Sequence, residues 1–104
     1  MNKIFLTGNL TKDPEEVKTT SGNTLCKLIL AVNKRRSEDK EPIFINVVCW
    51  NALADNCIKY LVKGSKILVN GELNMRTYDG SDLTKKHITE VIASEIEFLN
   101  KKNN

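Results

Sequence analysis

The feature that most constrains the fold is a residue-by-residue alternation of side-chain character in four runs of the sequence. The runs cover residues 3–10, 25–33, 44–50 and 66–74. In each run, every second residue is apolar or glycine, whereas the residues between them are mixed in character. This is the pattern of strands buried on one face only. The expected buried set is Ile4, Leu6, Gly8, Leu10, Cys26, Leu28, Leu30, Val32, Ile45, Val47, Cys49, Ile67, Val69, Gly71 and Leu73.

A single stretch, residues 51–64, shows helical spacing instead, with Leu53, Cys57 and Leu61 four residues apart. We expect Asn51 to cap the start of this helix and Gly64 to end it. A fifth strand over residues 85–93 and a short tail strand over 96–99 follow, with a less regular pattern.

The order of these elements predicts an all-β OB-fold, a five-stranded Greek-key barrel. One α-helix would lie between strands 3 and 4 and cover an end of the barrel. The Asp-Gly pair in Tyr78–Ser81 indicates an extended hairpin. In a small barrel the purely apolar side of each strand must face inward. The mixed sides, which carry the charged residues, must then face outward.

The length of 104 residues fits one domain, which we place at residues 1–99, with a frayed C-terminal tail at 100–104. No apolar run approaches the roughly 20 residues that span a bilayer, and no signal peptide is recognisable. We therefore expect a cytoplasmic protein without membrane contact. Three cysteines without a CxxC pair favour reduced core residues over a disulfide framework or a zinc site. We expect no cofactor and no metal.

Two large aromatic residues, Phe44 and Trp50, fall on the mixed side of the third strand, together with Asn46. They are therefore expected outside the barrel, where exposed rings need a partner. An oligomer contact or burial under a loop is one explanation. The alternative is single-stranded nucleic acid, because cations and a further ring occur on neighbouring segments and such surfaces stack bases and bind phosphates. These neighbours are Lys27, Lys66, Arg76, Tyr78 and the basic stretch 33–36, which contains Arg35 and Arg36.

Four stretches together resemble the bacterial single-stranded DNA-binding protein family in order and spacing. They are MNKIFLTGNLTKDPE, TTSGNTLCKLILAVN, FINVVCWNALADNCIKYLVKGSKILVNGELNMRTY and ITEVIASEIEFL. The resemblance implies OB folds that bind single-stranded DNA, usually in a homotetramer. It places stacking positions on Phe44, Trp50 and Tyr78 and basic positions on Lys3, Lys63 and Arg76. A fourth stacking position falls near Arg36, and two further basic positions are Asn46 and Asn74 here.

The resemblance also implies a difference at the C-terminus. Replicative members of the family continue into a flexible tail with an acidic, hydrophobic tip that recruits other proteins, whereas this chain stops at FLNKKNN. The expected chain is therefore a short paralogue without that tail, a phage-encoded copy or a truncated piece of a longer protein, and the residues present do not support the recruitment of other replication or recombination proteins.

Three functions are compatible with these patterns. The first is a non-enzymatic protein that binds single-stranded DNA regardless of sequence and protects it in replication, recombination and repair, in association with the nucleoid. The second is a primosome-type assembly module of the same fold that acts mainly through protein contacts. The third is an OB-fold nuclease using acids such as Asp79, Asp82 and Glu90. The single histidine, His87, has no nucleophile or metal-ligand spacing beside it, and the nuclease is the least supported of the three.

Overall fold

The computed structural model describes residues 1–34, 41–81 and 84–99. The predictions for Arg35, Arg36 and Asp82, and for the frayed tail at 100–104, lie outside the described residues. The elements in chain order are β1 Ile4–Leu10, β2 Glu15–Lys18, β3 Thr24–Val32, β4 Ile43–Trp50, α1 Asn51–Tyr60, β5 Lys66–Asp79 and β6 Lys85–Phe98.

Five of these strands close into a barrel, which confirms the predicted OB-fold. Neighbouring strands follow the order β1-β5-β6-β4-β3, and β1 also pairs with β3, so the sheet closes on itself. The closing pairs are Asn9 with Ala31 and Leu10 with Leu30. Gly8 allows this approach, because a Cβ there would overlap the carbonyl oxygen of Ala31. The β4–β6 pairing is parallel and the other pairings are antiparallel.

The core forms from the apolar side of each barrel strand, as the alternation predicts. Its fully buried members include Leu28, Leu30, Val47, Ile67 and Val69. The helix α1 lies between the third and fourth barrel strands and adds Ala54 and Cys57 to the same cluster. All three cysteines are buried and carry free thiols, with 3.9 Å between the sulfurs of Cys49 and Cys57.

The helix ends differ from the sequence prediction. The N-cap position is occupied by Trp50, which makes no side-chain cap hydrogen bond, and Asn51, with a positive φ of 54°, is the first residue of the helix. Its Oδ1 instead accepts the backbone N–H of Thr24 at 3.3 Å, so the amide joins the helix to β3. The helix ends at Tyr60 rather than at Gly64. Gly64, with φ of 91°, belongs to the following turn and donates its N–H to the carbonyl of Leu10.

Two strand features were not predicted. The short strand β2 pairs with the outer edge of β3, although its sequence is mostly charged. The two predicted terminal strands, 85–93 and 96–99, form the single strand β6. A bulge at Ser94 separates the pairs Gly71–Ala93 and Asn70–Glu95. One extra residue reverses which side chains face inward, and this explains the irregular sequence pattern of β6.

Two residues depart from the simple alternation. Leu73 was expected inside the barrel but is exposed. The pairing of β5 with β1 ends at Gly71, and beyond it β5 continues into the hairpin, outside the closed barrel. Val48 faces outward with Phe44 and Trp50 and is nevertheless buried. It lies between Lys27 on β3 and Ile92 on β6, which cover it from both sides. Within the described parts of the chain, no helix is long and apolar enough to cross a membrane.

Candidate nucleic-acid interface

Strand β4 presents two aromatic rings on the outside of the barrel, as the alternation predicts. Phe44 is 63% exposed and Trp50 is 41% exposed, while Val47 and Cys49 between them are fully buried. Asn46 is exposed on the same side of the strand. Apolar rings at this exposure leave a large apolar area in contact with water, which a ligand could cover.

The neighbouring strands complete this surface, which we call the outer face. Lys27 on β3 lies opposite Val48 on β4. On the other side, β6 pairs with β4, and β5 then pairs with β6. Tyr78, 50% exposed, lies opposite Lys86 on the hairpin. The outer face is defined by Lys27, Phe44, Asn46, Trp50, Arg76 and Tyr78.

The two rings on β4 are too far apart to stack on neighbouring bases of one stacked strand. Six residues at about 3.3 Å each separate Phe44 from Trp50, which gives about 20 Å along the strand. Bases in a stacked strand follow one another at about 3.4 Å. A DNA strand that follows β4 from one ring to the other must therefore place further bases above Asn46 and Val48.

A buried carboxylate lies within the outer face and was not predicted as part of a DNA site. Glu90 on β6 is only 5% exposed and pairs with Asn46 on the neighbouring strand β4. Both its carboxylate oxygens accept the Nε–H of Arg76 at 3.3 Å, and one accepts the amide of Asn74 at 3.0 Å. Arg76 is therefore held by an ion pair, while its side chain remains about half exposed.

This contact could not be predicted from the residue pattern. Placing Glu90 beside Arg76 requires the register of the hairpin, in which Asp79 pairs with Lys85. The intervening loop has five residues, whereas an Asp-Gly signal by itself is most typical of a two-residue turn.

The other predicted cations lie away from the rings. Lys3 is exposed just before β1, with its ammonium 5.9 Å from the ring centre of Phe5. Lys63 is exposed in the turn after α1, and its backbone N–H donates to the carboxylate of Asp13. Lys66 is the first residue of β5 and pairs with Asn9 on β1. Asn9 also pairs with Ala31 on β3, and Ala31 in turn pairs with Phe44 on β4. None of these three lysines pairs across the sheet with a residue of the outer face.

The acids considered for a nuclease do not converge on one site. Asp79 pairs with Lys85 across the hairpin at 3.5 Å, whereas Glu90 is engaged by Arg76 and Asn74. His87 is exposed on the hairpin strand β6. In residues 1–34, 41–81 and 84–99, no three His, Cys, Asp or Glu side chains are grouped to hold a metal ion.

Comparison with known proteins gives consistent matches. The Single-strand binding protein family matches residues 1–99. The chain is 41% identical to single-stranded DNA-binding protein 1 of Clostridium acetobutylicum over 107 residues, which cover 98% of this chain and 96% of that protein. It is 40% identical to the single-stranded DNA-binding protein of Bacillus cereus over 106 residues, covering 99% of this chain and 62% of the relative. The chain thus spans less than two thirds of the Bacillus protein.

Proposed function

The chain belongs to the single-strand binding protein family, and from this we propose that it binds single-stranded DNA without dependence on a defined sequence motif. Bases stack on Phe44, Trp50 and Tyr78, and phosphates are neutralised by cations on and around the outer face. Stacking on an aromatic ring contributes about 1–3 kcal/mol per base and accepts every base, since every base has a π-face. The protein is a binding protein and not an enzyme.

The observation that carries this proposal is the joint exposure of three rings on one face of a closed barrel. If these rings served the core of the protein, they would be buried. A DNA duplex could not stack its bases on them, because duplex bases are already stacked on one another. Arg76 on the same face supports a phosphate contact, since the bonds with Glu90 involve Nε and its side chain remains half exposed. Lys27 lies one strand away from the rings.

In the cell, the proposed role is to coat and protect single-stranded DNA during replication, recombination and repair. Residues 1–99 would form the OB-fold domain, with 100–104 as a tail. The expected assembly is a homotetramer, as is usual in the family, and the expected location is the cytoplasm, with the nucleoid. Arg35 and Arg36 are proposed as further phosphate contacts, and Lys3, Lys63 and Lys66 as additional basic positions.

The test uses the intrinsic fluorescence of Trp50, the only tryptophan in the sequence. We expect oligo(dT) to quench it and salt to weaken the binding, with a slope in log K against log salt of about −0.7 per phosphate neutralised. A duplex of equal length should quench much less.

The alternative is the primosome-type assembly module, in which the outer face mainly contacts protein. It predicts that oligo(dT) leaves the Trp50 emission unchanged at low salt, whereas a protein partner changes it. That result would contradict the proposed function. Magnesium-dependent cleavage of the oligonucleotide, lost in Glu90→Gln, would instead support the nuclease.

A further inference from the structure

A half-enclosed cleft on the outer face brings cations and carboxylates together. Its volume is about 210 Å³, and its charged lining consists of Lys12, Glu15, Lys27, Arg76 and Glu90. The cleft also includes Asn46, which lies on β4 between Phe44 and Trp50. A DNA strand that follows β4 from one ring to the other therefore passes beside these charged groups.

We infer that Lys12 is a phosphate-binding residue of this interface and that Glu15 occupies its ammonium group until DNA displaces it. The inference rests on the proposed function, because it adds to the DNA site one residue that favours binding and one that competes with it. The sequence pattern assigned neither residue to the interface, since the strand β2, which carries Glu15, was not predicted.

The bend after β1 holds Lys12 at the edge of the cleft. The backbone N–H of Thr11, the residue before it, donates to the carbonyl of Ile29 on β3 at 3.0 Å. Ile29 lines the cleft and pairs with Asn46 on β4. Because neighbouring strands lie about 4.8 Å apart, the flexible four-carbon side chain of Lys12 can extend from this bend to a phosphate above β3.

Strand β2 places Glu15 beside the same cations. Glu15 pairs with Lys27 on β3, and side chains opposite each other in an antiparallel pair lie on the same face of the sheet. The Oε1 of Glu15 lies 3.8 Å from the Nζ of Lys12. In the absence of DNA, this carboxylate thus supplies the negative charge that a phosphate would bring to Lys12. A phosphate that binds Lys12 must first break this ion pair.

The pair of Lys12 and Glu15 can open, unlike the other ion pair of the cleft. The side chain of Glu90 is only 6% exposed and accepts the Nε–H of Arg76. The side chains of Lys12 and Glu15 are each 53% exposed. Exposed ion pairs contribute little net free energy, whereas a phosphate that binds a lysine also gains from the release of counterions. DNA therefore displaces Glu15 from Lys12, while Glu90 stays with Arg76.

The test measures the quenching of Trp50 by oligo(dT) in the wild type and in Glu15→Gln. Glutamine keeps the size of the side chain and removes its charge. We expect the dissociation constant to fall about fivefold at low salt, since DNA no longer has to break an ion pair with the strength of two charges about 4 Å apart in water. The gain should shrink as the salt concentration rises, because salt screens exposed charges.

The matched control is Glu16→Gln, which makes the same change in net charge on the next residue of β2. Glu16 forms an ion pair with Lys18 at 3.3 Å. It lies opposite Cys26, whose side chain is in the core, so it points to the other side of the strand from Glu15. Its dissociation constant should stay within about twofold of the wild-type value, since the charge is further from the cleft and is screened.

Lys12→Ala tests the other partner. The slope of log K against log salt should fall by about 0.7, the value for one lost phosphate contact. Adding Glu15→Gln to this variant should improve binding little, because the cation that Glu15 occupies is already gone. Melting temperatures check that each variant keeps the fold, as expected for exposed side chains.

Four results would overturn the inference. They are an unchanged dissociation constant in Glu15→Gln, an equal gain in Glu16→Gln, an unchanged salt slope in Lys12→Ala, and a full gain from Glu15→Gln in the Lys12→Ala background. If Glu15→Gln does not fold, the salt slope of Lys12→Ala decides the question. Absence of quenching by oligo(dT) in the wild type would refute the proposed function itself.

Discussion

The guanidinium of Arg76 donates its Nε–H to both carboxylate oxygens of Glu90, at 3.3 Å each, on the outside of the barrel. The two partners differ sharply in environment, since the side chain of Arg76 is about half exposed and that of Glu90 is almost fully buried. The arginine thus neutralises a buried carboxylate and also belongs to the proposed ligand surface. A substitution at Arg76 is therefore expected to change both stability and binding, and one prediction below separates the two effects.

Replacing Trp50 by alanine should weaken binding of oligo(dT) by about 1–3 kcal/mol per subunit, because a stacking surface is lost. The melting temperature should change little, since the ring lies outside the core. Binding is measured by fluorescence anisotropy of a labelled oligonucleotide, because the variant lacks its tryptophan. Tyr60→Ala is the matched control, an exposed ring on α1 away from the outer face, and it should bind like the wild type. A large fall in melting temperature for Trp50→Ala would show that the ring is structural.

Replacing Arg76 by alanine should reduce the salt slope of binding by about 0.7, the value for one lost phosphate contact. It should also lower the free energy of unfolding by about 1–2 kcal/mol, because the buried carboxylate of Glu90 loses its charged partner. Urea denaturation and oligo(dT) titrations at several salt concentrations measure the two effects. The double variant Arg76→Ala/Glu90→Gln should recover much of the stability but not the slope. An unchanged salt slope in Arg76→Ala would show that Arg76 does not neutralise a phosphate of the bound DNA.

Replacing Gly8 by alanine should destabilise the protein by more than 2 kcal/mol, because the new methyl group would overlap the carbonyl oxygen of Ala31 where β1 and β3 close the barrel. Gly22→Ala is the control. Gly22 has a φ of 92° and free space around it, so its substitution should cost only about 1 kcal/mol. Urea denaturation gives both values. Equal losses at the two glycines would mean that barrel closure does not depend on the close approach at Gly8.

Raising the pH above 9 should destabilise the protein through Cys26. Burial raises the pKa of this thiol from 9.0 to about 12. The folded state therefore keeps a proton that the unfolded chain releases, and stability falls as the pH rises from 9 towards 12. At pH 10, one unit above the unfolded pKa, the loss from this group is about 1.4 kcal/mol. Unfolding in urea measures this loss. Between pH 8 and pH 10, the free energy of unfolding of the wild type should fall by about 1.4 kcal/mol more than that of Cys26→Ala. An identical pH dependence in both proteins would exclude Cys26 as its source.

The alternation in the sequence was sufficient to predict the barrel and the outward direction of Phe44 and Trp50. The reason is local, because successive side chains of a strand point to opposite faces. Once Val47 and Cys49 are inside, Phe44, Asn46 and Trp50 must be outside. The helix was also recognisable from its spacing, but its ends were not. Asn51 has a side chain suited to capping, yet its amide binds Thr24 on β3, a contact that exists only in the folded protein.

Other features depend on which strands become neighbours. The strand β2 has no alternation of its own and forms because β3 offers an unpaired edge. Similarly, the bulge at Ser94 reverses the pattern of β6, and a single residue of this kind leaves no clear signal in one sequence. Leu73 occupies a position that the alternation assigns to the interior. It is nevertheless exposed, because the pairing of β5 with β1 ends two residues earlier, at Gly71.

The sequence by itself therefore determined the fold class, the buried side of each strand and the exposure of the aromatic rings, because these follow from the two-residue period of a β-strand. Only the tertiary structure decided that Glu90 lies between Asn46 and Arg76, since that contact depends on the register of β6 against both β4 and β5. A shift of one residue in either pairing would turn Glu90 or its partner to the opposite face. The exposure of Phe44 and Trp50 could be predicted from local periodicity, whereas the position of the Glu90 carboxylate beside Arg76 could not.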